Sequence, residues 1–152
     1  MRRPYLYLSG YLEAHRDEYY AHLLAVSRDD EWTGWCVFFL KGVIEQANSD
    51  GDKARAIGSL YRERLDWIVQ ATGSQFAVRA LEWMFRRPVF NATDFKRSAN
   101  IPRDSAERIL SISRAGGMLR QVRAARGTRS AIYALPELLA LVEGDSVLAP
   151  NI

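Results

Sequence analysis

Apolar positions in the first half of the chain recur at helical spacing. In "SGYLEAHRDEYYAHLLAV", Tyr11, Leu12, Tyr19, Tyr20, Leu23, Leu24 and Val26 lie three, four or seven apart. Arg16-Asp17 reads as a break, with Asp17 starting a second helix. "RDDEWTGW" reads as a loop whose acidic residues enter the next helix, where they favour its N-terminal dipole. From Trp32 the apolar stripe runs through Trp35, Phe38, Phe39, Gly42 and Val43, then Ala54, Ile57, Leu60, Tyr61, Leu65 and Ile68. "NSDGDK" at 48–53 interrupts it with poor helix formers. Two helices are expected there, the alternative being one long helix kinked near Gly51.

"ATGSQ" at 71–75 marks a boundary, with Ser74 as a candidate cap for the next helix. "QFAVRALEWMFRRP" sets Phe76, Ala80, Leu81, Met84 and Phe85 on one helix face and ends at Pro88. "VF" is a short extended piece. Asn91 then caps a short helix that carries Asp94 in its first turn. Ile101-Pro102 makes a turn into a helix over Arg103–Arg114, with Ala106, Ile109, Leu110 and Ser113 facing inward and Gly116-Gly117 ending it. "LRQVRAARGTRSAIYAL" spaces its arginines by three, as a helix would. Yet Val122, Ala124, Ile132 and Ala134 alternate as in strands, and "AARGTRS" supplies a turn. "PELLALVEG" is a last short helix, between Pro136 and Gly144, and 145–152 read as a loose tail.

Helix, short strand, helix, tight turn, helix, Gly-Gly and a hairpin come in the order of a winged helix-turn-helix. The fold class expected is therefore mainly α. A helical segment over 1–73 precedes a winged helix-turn-helix over 74–144 with a small β-hairpin.

Charge sharpens this division. The net formal charge is +3, but residues 1–73 carry −2, residues 74–135 carry +8 and residues 136–152 carry −3. A basic block of that size between acidic ones is an electrostatic footprint for a polyanion. In a helix-turn-helix the second helix enters the major groove. Arg103, Ser105, Arg108 and Ser111 would then lie near base edges and phosphates, with Lys96 and Arg97 suited to the backbone. The hairpin arginines Arg123, Arg126 and Arg129 would lie on a phosphate ridge or in the minor groove. Asp104 and Glu107 oppose this if both face the groove, and Asp104 could instead cap its own helix. Double-stranded DNA is the expected partner; a protein-interaction or dimerisation module is the alternative.

Candidate chemistry is sparse. Cys36, the single cysteine, sits among Trp35, Val37, Phe38 and Phe39 and is expected to be packed. His15 and His22 lack cysteine or carboxylate ligands placed with them, so no metal site is expected. There is no Gly-x-x-x-x-Gly-Lys, no Gly-x-Ser-x-Gly and no paired cysteine. No cofactor and no small-molecule substrate are expected. With no charged-then-apolar stretch at the start of the sequence and no apolar run of about 18 residues, neither a signal peptide nor a membrane span is expected, and a cytoplasmic setting without a membrane partner is the default.

The segment Pro4–Ala47 carries Y-L-S-x-Y, then R-D-E-Y-Y, then W-x-x-W-x-x-F-F-L-x-G-V. It resembles the segment just downstream of the catalytic motif in Fic-family proteins, many of which end in a winged helix. Fic enzymes transfer AMP or a related group from a nucleotide to a protein hydroxyl through a His-x-Phe-x-(Asp/Glu)-Gly-Asn-Gly-Arg loop. Here neither His15 nor His22 precedes a glycine-rich loop, and the chain contains no Gly-Asn pair. The resemblance thus implies the part of a Fic protein beyond its catalytic core, with no catalytic residue of its own. It also implies that Tyr19, Tyr20, Trp32, Trp35, Phe38 and Phe39 would help cover catalytic helices in a full-length relative. With no such core beside them, this aromatic surface predicts a homodimer or a complex with a separate Fic core.

Overall fold

A computed structural model of the chain describes residues 8–127 and 129–143. It is mainly helical, with one small antiparallel sheet. The elements are α1 (Ser9–Ala14), α2 (Arg16–Asp29), α3 (Trp32–Thr72), α4 (Ala77–Arg86), β1 (Val89–Asn91), α5 (Ala92–Ser98), α6 (Arg103–Ala115), β2 (Arg120–Arg123), β3 (Ile132–Ala134) and α7 (Pro136–Glu143). Two compact units meet in sequence between Ala54 and Arg55, within α3. The helix itself ends at Thr72, followed by Gly73 at φ +53°.

In the first unit, α1 and α2 are separated by a single non-helical residue, His15, whose amide returns to the Tyr11 carbonyl. Asp30 closes α2 in the left-handed conformation, and Glu31 starts α3 by accepting the Gly34 amide at 3.0 Å. The loop expected over 28–35 is corrected to Asp30–Glu31 alone, since Asp29 ends α2 and Trp32 begins α3; the acidic entry to α3 is the Glu31 cap. Phe38 is the buried centre, 3% exposed. Tyr11, His22 and Trp35 surround it at ring separations of 5.7, 5.1 and 6.0 Å. Gly42 lies one turn further along α3, where a Cβ would come within 2.5 Å of the Tyr11 ring. Glycine is required there for the ring's approach.

The expectation of two helices around "NSDGDK" is corrected: α3 continues unbroken through 48–53. Ending and restarting a helix would leave up to four N–H and four C=O groups without intrahelical partners at the two new termini. Carrying an established helix through weak formers costs only about 0.5–1 kcal/mol per residue. Gln46 also donates to Asp50 at 2.8 Å across one turn.

Cys36 is exposed, which corrects the expectation of a packed thiol. Trp35, Phe38 and Gly42 define the inward face of α3, and a residue two before Phe38 points to the opposite side.

The second unit is built on the amphipathic faces of α4 and α6. Ala77, Ala80, Leu81, Trp83 and Met84 are buried on α4, and Ala106, Ile109, Leu110 and Ser113 on α6. Ile68 of α3 and Phe95 of α5 are fully buried in the same core. Trp83 meets Phe90 and Phe95 edge-on at 5.1 and 5.2 Å, the arrangement aromatic quadrupoles favour. The Ser74 hydroxyl accepts the Phe76 amide at 3.2 Å ahead of α4. Asn91 caps α5 by accepting the Asp94 amide at 2.7 Å and donating to the Asp94 carboxylate at 2.6 Å. Gly116 terminates α6 against Trp67, and Gly117 follows at φ +77°.

The sheet order is β1-β3-β2, all antiparallel. Phe90 and Gln121 both pair with Tyr133, and the β2 register shifts between Gln121 and Arg123. All four β2 residues are exposed, Val122 by 55%. The expected apolar alternation is not seen as alternating burial: on β3 Ile132 and Tyr133 are both half-buried and Ala134 is buried, and Val122 and Ala124 are exposed. β2, like β1, is an edge strand, and its register with β3 is irregular, as at a β-bulge. The expected tail, 145–152, lies outside the described residues.

Candidate functional site

The basic surface of the second unit begins with the short turn between α5 and α6, residues 99–102, in which Asn100 takes φ +54°. Phe95 anchors α5 in the core, which leaves Thr93, Lys96 and Arg97 on its outer side. On α6 the burial of Ala106, Ile109, Leu110 and Ser113 turns Arg103, Glu107, Ser111 and Arg114 outward on one face.

Glu107 joins the two helices. One of its carboxylate oxygens accepts from Lys96 Nζ at 2.7 Å and from Arg103 Nε at 3.2 Å. These hydrogen bonds, that from Lys96 foremost, hold the Glu107 carboxyl below its usual range. A depressed carboxylate contributes stability above its unfolded pKa, about 4.3, and loses it as pH falls through the lower folded value. The Lys96–Glu107–Arg103 link therefore persists into acid where ordinary glutamates have begun to protonate. Arg97 in turn pairs with Asp94 at 3.0 Å.

Two shallow hollows mark this surface. One, of about 380 Å³, is lined by Thr93, Lys96, Arg97 and Arg103. The other, of about 270 Å³, lies among Ala92, Lys96, Glu107, Leu110, Ser111, Arg114 and Tyr133. The hairpin is tied to both helices. Arg114 donates to Gln121 of β2 at 3.2 Å, and the Thr93 amide donates to the Ser130 hydroxyl at 3.1 Å. At the hairpin tip the backbones of Arg126 and Arg129 bond each other in both directions at 3.0 Å, around Gly127 at φ +57°. Both arginines are exposed, as is Arg123.

Of the residues singled out from sequence, Lys96, Arg97, Arg103 and Ser111 come together on the α5–α6 face. Arg123, Arg126 and Arg129 lie on the hairpin. Ser105 is half-buried on another side of α6. Arg108 is turned toward α3, where its guanidinium donates to the Thr72 carbonyl at 2.5 Å. That carbonyl belongs to the last turn of α3, which has no intrahelical donor for it. Arg108 thus fastens α6 to the end of α3. We expect Arg108→Ala to lower the stability of the second unit by about 1–2 kcal/mol in denaturant titration, while changing affinity for a polyanion less than twofold.

Asp104 sits in the first turn of α6 without a side-chain cap bond, so its expected capping role is corrected to one of favourable charge near the helix start. Sequence reasoning missed Thr93, Arg114 and Ser130. Arg114 was findable, since it continues the outward spacing of Arg103, Glu107 and Ser111.

The aromatic set of the first unit divides. Tyr20, Trp32 and Phe39 are exposed by 53%, 56% and 39%, Tyr19 and Trp35 are half-buried, and Phe38 is internal. His15 stacks on Tyr11 at 4.2 Å, and His22 lies 3.8 Å from Glu18. Among the described residues no group of His, Cys, Asp or Glu is placed to hold a metal ion, and no helix is long and apolar enough to cross a membrane. The sequence matches no family model.

Proposed function

We propose that the second unit is a winged helix-turn-helix that binds double-stranded DNA and that the chain is a non-catalytic, Fic-associated regulatory module. In this reading α6 is the helix offered to the major groove, α5 crosses the phosphate backbone, and the β2–β3 hairpin is the wing. The observation that carries it is the shared outward face of α5 and α6, where Lys96, Arg97, Arg103, Ser111 and Arg114 outnumber the two carboxylates paired with them, Glu107 and Asp94. The connection of 99–102 is as short as helix-turn-helix turns are. The exposed arginines of the hairpin extend the positive surface beyond α6.

Glu107 engages Lys96 and Arg103 in the free chain and so competes with phosphate for them, while a glutamate on a major-groove helix can accept from a cytosine amino group and so contribute selectivity rather than affinity. Selection from a pool of randomised duplexes tests the reading. We expect a common site to be enriched, and Arg103→Ala to relax preference at one position by about 1–3 kcal/mol. Failure to retain any duplex at low salt would contradict it.

A protein-interaction role is favoured by a separate observation, the exposed apolar residues of the first unit. The Fic-like segment at residues 4–47 supports placing that unit beside another protein surface.

A further inference from the structure

A cavity of about 520 Å³ lies between the end of α4, the edge strand β1 and α5. That volume is within the range of small-molecule sites. Its inner wall is aromatic, made by the buried Trp83 and Phe90. Val89 and Ile132 add apolar surface from one face of the sheet, because Asn91 pairs with Ile132 and Val89 lies two residues before Asn91.

The polar groups around this wall are engaged with one another. Trp83 Nε1 donates to the Ser98 hydroxyl at 3.1 Å, and that hydroxyl donates to the Asp94 carbonyl at 2.7 Å. One oxygen of the Asp94 carboxylate accepts from Asn91 and the other from Arg97. Arg87 is the exception. Just past the end of α4, its guanidinium lies over the Trp83 ring, 4.9 Å from the centroid, and it has no side-chain hydrogen bond or ion pair among the described residues. A guanidinium held on an aromatic face keeps its fork of N–H donors available to a planar anion.

We propose that this cavity binds a small aromatic monocarboxylate, its carboxylate paired with Arg87 and its ring system against Trp83, Val89 and Ile132. The proposal concerns this cavity alone and is independent of DNA binding. Charge selects a monoanion. Asp94 already neutralises Arg97, which leaves one unmatched cation, and a dianion such as a phosphate monoester would set its second charge beside Asp94. The planar fork of arginine matches a carboxylate in two parallel hydrogen bonds. The apolar wall selects the body, since an ion as small as acetate would leave that wall in contact with water.

Naphthoate and its neutral counterpart naphthamide test this on the whole chain. Titration of isotope-labelled protein with naphthoate should move the Trp83 indole N–H resonance saturably, with a dissociation constant of about 1 mM or below, as ordinary ligand efficiency gives for a molecule of this size. Naphthamide should bind at least about tenfold more weakly, because it lacks the charge-assisted pair. Arg87→Gln should weaken naphthoate by about the same factor and leave naphthamide unchanged, a selectivity that general loss of structure would not produce. Absence of a saturable shift up to about 5 mM naphthoate would overturn the proposal. So would equal affinity for the two probes, or an Arg87→Gln variant that keeps naphthoate binding or loses both probes alike.

Discussion

Phe95→Ala is expected to remove about 3–5 kcal/mol from the stability of the second unit, read as a lower denaturant midpoint with an unchanged slope. Phe95 is fully buried, with Trp83 and Phe90 rings at 5.2 and 5.8 Å. It is also the one buried residue of α5, a helix of 7 residues. A helix that short does not persist on propensity alone. Losing the ring therefore opens a cavity and detaches α5 from its support. Total stability for a domain of this kind is about 5–15 kcal/mol, so the variant should be partly unfolded at 37 °C. Phe85→Ala, at a half-buried site beside Tyr61, should cost clearly less. A loss below about 1 kcal/mol for Phe95→Ala would mean that α5 is held by something other than this contact.

The second large effect concerns binding. Replacing Lys96, Arg97 and Arg103 together by alanine is expected to weaken duplex DNA affinity about 100-fold or more at low salt, measured by fluorescence anisotropy. The three side chains lie on the outside of α5 and α6, so the denaturant midpoint should move little. The triple substitution also strips Glu107 of both its partners and leaves a bare carboxylate facing the phosphates. Glu107→Gln should act in the opposite sense. It removes one negative charge and releases Lys96 and Arg103 to phosphate, so affinity should rise several-fold and the log–log salt dependence should steepen by about 0.9 for each released cation that gains a phosphate, up to about 1.8. The two variants moving affinity the same way would be inconsistent with the α5–α6 face as the contact surface.

Local signals in the sequence correspond to local features of the fold. Asn91 followed three residues later by Asp94 is a capping pattern, and both bonds are made within that span. The inward set of α6 comes from its period, and all of its members are buried. The Gly116-Gly117 pair ends α6 because its backbone conformation and the closeness of Trp67 require glycine. What the sequence hides depends on contacts between distant residues. Arg108 looks like any outward arginine until α3 brings Thr72 to it, 36 positions earlier. Glu107 looks like an obstacle to a polyanion until Lys96, 11 positions earlier, is set against it. The run 48–53 misleads because propensity weighs residues singly, whereas helix continuation depends on the turns already formed on either side.

The most direct test of a phosphate-binding face is the salt dependence of duplex binding by the whole chain. Titration of one labelled duplex between about 50 and 200 mM salt should give a log–log slope of roughly −4 to −7, as expected for five to eight phosphate contacts. Absence of binding at about 50 mM salt, or a slope near zero, would contradict it.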